Sequence, residues 1–246
     1  MTWQEMVRQR VALALDVDTW AQASEIVEAT ADVVDMYKVG SQLFAAHGVE
    51  VLEALNAMGK RVFLDLKYHD IPNTVASAVA NVTTRFPCVA LLTVHALGGQ
   101  QMIERAVKAR ANAQVKIIAV TALTSMSGAD LSALGVDDEI GVASWARRLG
   151  ELALDAGAHG LVCSAHEVNT LIDAFGPQAM LITPGIRMGA LSGGDDQVRV
   201  AEPGWAVAQG SDLLVIGRLV TRADDPMVVL ERVGLDIVEG MHREWA

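Results

Sequence analysis

Short apolar runs rich in β-branched residues recur along the chain: VALAL (11–15), VVDMYKV (33–39), RVFLDL (61–66), VALLTV (89–94), VKIIAV (115–120), GLVCS (160–164), AMLIT (179–183) and DLLVIG (212–217). Each has the length of a buried strand, so the pattern predicts eight. Between them apolar residues fall at helical spacing: Val75, Ala78, Val79, Val82; Val142, Trp145, Ala146, Leu149; and Val168, Leu171, Ile172, Phe175. Buried strands alternating with amphipathic helices imply right-handed βαβ crossovers and a parallel sheet covered by helices. Eight such units in 246 residues match an α/β fold of the (β/α)8 TIM-barrel type, a single domain over 1–246. A doubly wound open sheet is the alternative; it is weakened because no Gly-x-Gly-x-x-Gly follows the first strand. No low-complexity segment or linker divides the chain.

The third run departs from the apolar pattern. In VFLDLKYHDIPNT (62–74), Asp65, Lys67 and Asp70 stand where a buried strand should carry no charge. Strand alternation puts Phe63, Asp65 and Lys67 on one face and Leu64 and Leu66 on the other. In a barrel the leucines meet the helices and the charges point into the mouth. A lone buried charge is costly, so these belong to a mutually compensating set.

Other strands end in polar residues at the same level: Asp16, Lys38, His95, Thr121, Ser164, and Gly217 with Arg218. One strand-end charge is ordinarily a solvated loop residue. Recurrence at one end of the sheet instead marks the face where barrel active sites sit. Lys38, Asp65, Lys67 and Asp70 would form an alternating charged array, in which flanking carboxylates favour the ammonium and suit a lysine to general acid chemistry. Asp70 has a plainer reading, since Asp70 or Asn73 could cap the helix carrying Val75. His95 could equally support neighbouring site residues or simply pack. The other histidines (47, 69, 159, 166 and 242) show no pairing that suggests a metal site.

Two connections are long, 122–138 and 184–202, and long loops in compact folds tend to be lids or binding loops. The second follows TPGIR, and VIGR ends the last strand, offering Arg187, Arg218 and glycine amides where barrels often bind phosphate. Composition changes the picture only by exclusion. A net charge of −11 opposes a generic grip on nucleic acid or an anionic membrane, so any anionic ligand must be held locally. No run approaches the roughly 18 apolar residues of a membrane span, and the apolar stretch near the amino terminus is too short for a secretory signal. Cys88 and Cys163 lie in apolar runs and read as reduced thiols, which fits a cytoplasmic protein.

Taken together, ALDVD (14–18), YKVG (37–40), FLDLKYHDIPNT (63–74), TALTSM (121–126), VCSAHE (162–167), TPGIR (183–187), GDDQ (194–197) and VIGR (215–218) resemble the orotidine 5′-phosphate decarboxylase family, in order and over essentially the whole length. The resemblance implies decarboxylation of orotidine 5′-monophosphate to uridine 5′-monophosphate without metal or organic cofactor. By position, Lys67 would protonate C6 and Asp65 would lie beside the leaving carboxylate. Lys38 and Asp16 would contact the ribose. Thr124 and Ser125 would address the pyrimidine, with Pro184 beside it. Gln197, Arg218 and the Gly217 amide would hold the phosphate, and Arg187 would support the closing loop. The family completes its site across a homodimer, so Asp70 and Thr74 would reach the neighbouring subunit. Met188 and Leu219 replace prolines common in the family, which implies altered loop stiffness rather than lost chemistry. The alignment of Asp195 and Asp196 is open.

Two rivals remain. A metal-dependent sugar-phosphate decarboxylase or aldolase could share the Asp-x-Lys-x-x-Asp core, but it should carry a metal-binding carboxylate where Lys38 stands, and a cation there repels Mg²⁺. A non-catalytic nucleotide-binding barrel is disfavoured by the full set of charges.

Overall fold

All eight apolar runs form strands in the computed structural model, which describes residues 1–189 and 200–242: β1 (Val11–Ala14), β2 (Met36–Gly40), β3 (Arg61–Tyr68), β4 (Val89–His95), β5 (Lys116–Val120), β6 (Gly160–Val162), β7 (Met180–Thr183) and β8 (Leu213–Ile216). Each pairs in parallel with the next, and β1 also pairs with β8 through Val11–Leu214, Ala12–Val215 and Leu13–Ile216. That last pairing closes the sheet into a barrel and removes the open-sheet alternative.

Side-chain alternation divides the core in two. One set, Val11, Leu13, Tyr37, Val39, Leu64 and Leu92 among them, faces the surrounding helices. The other fills the barrel: Ala12, Ala14, Met36, Phe63, Leu91, Ile118, Ile182, Leu213 and Val215. The small Ala12 and Ala14 leave room for Met36 and Phe63, so the interior is packed below the level at which the polar strand ends begin.

The predicted helices form as Pro72–Arg85, Val142–Asp155 and Val168–Phe175, burying Val75, Val79, Ala146, Leu149, Val168 and Leu171. A helix at Trp3–Arg10 is absent from the periodicity because it buries only Met6 and Val7; a reciprocal Thr2–Glu5 capping box starts it. No helix among the described residues is long and apolar enough to cross a membrane.

Opposite the mouth, beside the start of β6, Arg110 pins the barrel floor by donating to the Val107 and Val115 carbonyls. Its Nη1 also lies 2.8 Å from His159 Nε2. A guanidinium only donates, so that ring nitrogen accepts. Burial, followed by the charge of Arg110, holds the His159 pKa below its ordinary value. The unfolded chain therefore binds the proton more readily, and the stability this contact supplies is present above the ordinary histidine range and lost as pH falls. Compared with His159→Asn, the wild type should hold its greatest advantage in melting temperature above pH 7, narrowing towards pH 5. A constant difference across that range would contradict the assignment.

Candidate active site

The carboxyl ends of the strands surround a cavity of about 440 Å³ floored by Ala14, Phe63, Val120, Val162 and Val215. Asp16, Lys38, Asp65, Lys67, Thr124, Pro184, Arg187, Gly217 and Arg218 all line it. Their convergence follows from register, since Ala14 pairs with Lys38, and Gly40 with Asp65.

The charges interlock. Lys38 is 7% exposed; its Nζ lies 2.9 Å from Asp16 Oδ1 and 3.7 Å from Asp65 Oδ2. Lys67 Nζ lies 2.9 Å from Asp65 Oδ1. One carboxylate thus faces an ammonium with each oxygen, and two cations are matched by two anions. That balance is what makes burial of Lys38 tolerable.

Lys67 reaches the mouth by a route that simple alternation does not give. Its φ is +50°, the only left-handed value at a non-glycine among the described residues. The register of β3 on β4 also shifts between Leu64 and Tyr68. Strain of this kind persists where surrounding contacts over-determine it, and it gathers at functional sites.

Beyond Lys67 the array ends. Asp70, Thr74 and Ser125 are exposed and do not line the cavity, and Gln197, with Asp195 and Asp196, lies outside the described residues. Asp70 makes no ion pair to a described residue; its Oδ1 accepts the Ile71 N–H at 2.6 Å. The four-membered alternation therefore closes at Lys67 within one chain. Neither Asp70 nor Asn73 caps the helix, because Ile71 holds the cap position without a side-chain bond and Pro72 occupies the first turn.

Other polar strand ends are structural. Thr121 donates to the Val162 carbonyl, and Ser164 forms a capping box with Glu167. His95 stacks on His69 with centroids 5.5 Å apart and accepts the Leu97 N–H through Nδ1. Burial, then His69 and then Lys67, lower its pKa, which keeps the ring neutral beside the lysine.

Three contributors carry weak sequence signals. Arg222 also lines the cavity, one helical turn beyond Arg218, a spacing that could have revealed it. Thr93 is fully buried and joins Lys67 to Asp65. Gly40 closes the wall: a Cβ there would lie 2.8 Å from Lys38 Nζ and 3.1 Å from Asp16 Oδ1. Among the described residues no cluster of three histidine, cysteine, aspartate or glutamate side chains could hold a metal.

Residues 9–233 match the family described as Orotidine 5′-phosphate decarboxylase / HUMPS. The orotidine 5′-phosphate decarboxylase of Saccharophagus degradans is 43% identical over 93% of this chain and 94% of that protein. That of Laribacter hongkongensis is 45% identical over 91% and 90%. The crystal structure of orotidine 5′-phosphate decarboxylase from Lactobacillus acidophilus superposes with a TM-score of 0.77 at 34% identity, covering 93% of this chain and 98% of that one.

The cramped wall at Gly40 gives a stability test. Gly40→Ala should displace the Lys38 amine, the far end of a flexible side chain, and destabilise the fold by about 1 kcal/mol through the weakened hydrogen bond to Asp16. Gly128→Ala, where a Cβ meets nothing within 4 Å, serves as the control. Equal urea midpoints for the two variants would count against the packing described.

Proposed function

The chain belongs to the orotidine 5′-phosphate decarboxylase / HUMPS family and converts orotidine 5′-monophosphate to uridine 5′-monophosphate and CO₂ in pyrimidine biosynthesis, and we propose that Lys67 is its proton donor. The observation that carries this reading is the Lys38–Asp65–Lys67 chain of ion pairs in the same cavity as Arg187 and Arg218.

The bond from C6 to the carboxylate breaks, CO₂ departs, and its electron pair stays on C6. The Lys67 ammonium, already within the cavity, stabilises that charge and then transfers a proton to C6, leaving a neutral amine that water reprotonates. Asp65 faces the departing carboxylate and keeps Lys67 in place. Lys38 and Asp16 hold the ribose hydroxyls, Thr124 and Pro184 border the pyrimidine, and Ser125 joins them as the loop moves. Arg218, the Gly217 amide and Gln197 take the phosphate, with Arg187 at the base of the loop. Phosphate binding far from C6 contributes energy to orienting the ring over Lys67.

Asp70 and Thr74 act in the partner's site of a homodimer. The support is their position: both are exposed on the rim of the mouth, beside Ile71, which is 67% exposed. The reaction belongs to the cytoplasm, in keeping with Cys88 and the buried Cys163 being thiols rather than a disulfide.

Loss of orotate absorbance on incubation with orotidine 5′-monophosphate is the direct assay, and it should proceed unchanged in excess EDTA. Inhibition by the chelator would favour the metal-dependent rival. Lys67→Ala should fold while kcat drops by about 10²- to 10⁴-fold, the range for losing a general acid; retained turnover would refute the role. Mixing inactive Lys67→Ala with inactive Asp70→Ala subunits should restore about a quarter of wild-type activity, since random reassortment leaves one site in four intact. No recovery after confirmed subunit exchange would place Asp70 outside a shared site.

A further inference from the structure

We infer that Thr93 is a positioning residue for decarboxylation, fixing both the left-handed backbone of Lys67 and the direction of the Asp65 carboxylate; the inference rests on the function proposed for this cavity. Thr93 lies in β4, has no exposed surface and does not line the cavity, so it can act only through its neighbours.

The register explains why a partner is needed. Leu64 pairs with Leu92 and Tyr68 with Val94, so β3 advances four residues while β4 advances two. An irregularity of this kind takes backbone groups out of the ladder, and a buried N–H must find another acceptor. The Lys67 N–H finds Thr93 Oγ1 at 2.8 Å. The same hydroxyl donates to Asp65 Oδ1 at 3.1 Å, and that oxygen also receives Lys67 Nζ at 2.9 Å. A closed circuit results, running from the Lys67 backbone through a hydroxyl and a carboxylate to the Lys67 ammonium.

Only a group that accepts and donates at one atom can complete it, which a hydroxyl does and a methyl does not. The circuit has two effects. It holds Lys67 at φ +50°, a conformation that L residues avoid without support. It also stops Asp65 from rotating, leaving Oδ2 turned towards Lys38 at 3.7 Å. Without the hydroxyl, the Lys67 N–H and Asp65 Oδ1 each lose a partner and the ammonium is no longer fixed relative to C6. The groups that line the phosphate end, Arg187, Gly217 and Arg218, are untouched.

The test compares Thr93→Val, which keeps the shape and removes the hydroxyl, with Thr93→Ser, which keeps the hydroxyl. Thr93→Val should lower kcat by about 10- to 100-fold, the penalty of misplacing a catalytic group by roughly an ångström, with KM within about threefold of wild type. Thr93→Ser should stay within about threefold of wild type in both constants. In the Thr93→Val crystal structure Lys67 should leave the left-handed region. If Thr93→Val does not fold, Thr93→Cys, whose thiol donates and accepts weakly, carries the same expectation. Wild-type kcat in Thr93→Val or Thr93→Cys, equal damage in Thr93→Ser, or a loss confined to KM would overturn the inference. If the wild type itself failed to decarboxylate, the proposed function would fall, while the Lys67 backbone in the wild-type and variant crystal structures would still decide whether Thr93 positions it.

Discussion

The Lys38 ammonium, buried in the mouth of an apolar barrel, is tolerable because Asp16 and Asp65 both face it, and Asp65 turns its other oxygen to the partly exposed Lys67. The cost of desolvating a charge rises steeply where water is scarce, and the attraction that offsets it depends on close geometry. The surroundings follow from that requirement. Adjacent strands deliver the partners in register, a glycine at position 40 keeps the wall clear of the Lys38 amine, and the strand carrying Lys67 departs from regular pairing to bring its side chain into range.

The fold separates the parts that secure stability from those that do chemistry. Below the mouth, Phe63, Met36, Leu91 and their neighbours fill the barrel, while the larger core lies between barrel and helices. Charged residues begin one step above this packing, at the strand ends and in the loops that follow. Loop substitutions can therefore retune ligand contacts while the barrel keeps its packing, whereas Lys38, Asp65 and Lys67 belong to the strands and inherit their rigidity.

Much of this was legible in the sequence for definite reasons. Short buried strands alternating with amphipathic helices leave two clean periodicities, so all eight strands and the helices at Pro72–Arg85, Val142–Asp155 and Val168–Phe175 could be read. Charges at strand ends stand out against apolar runs, which is how Asp16, Lys38, Asp65 and Lys67 surfaced together. Thr93 did not stand out, because threonine inside a strand is unremarkable by propensity and its role lies in a hydrogen-bond circuit that only tertiary structure creates. Asp70 is different: its spacing from Lys67 suggests one continuous array, whereas within a single chain it is exposed and makes no ion pair to a described residue. Thr121 and Ser164 share the strand-end position without the cavity, each serving a local hydrogen bond.

Barrel closure joins the first strand to the last, and the site straddles that seam. A Cβ on Gly217 would lie 3.4 Å from Ala14 Cβ and 3.8 Å from Asp16 Oδ2, so the arginine-bearing turn after β8 abuts the end of β1. Asp16 and Arg218 therefore line one cavity only while β1 stays zipped to β8, and fraying of that single pairing would part both walls together.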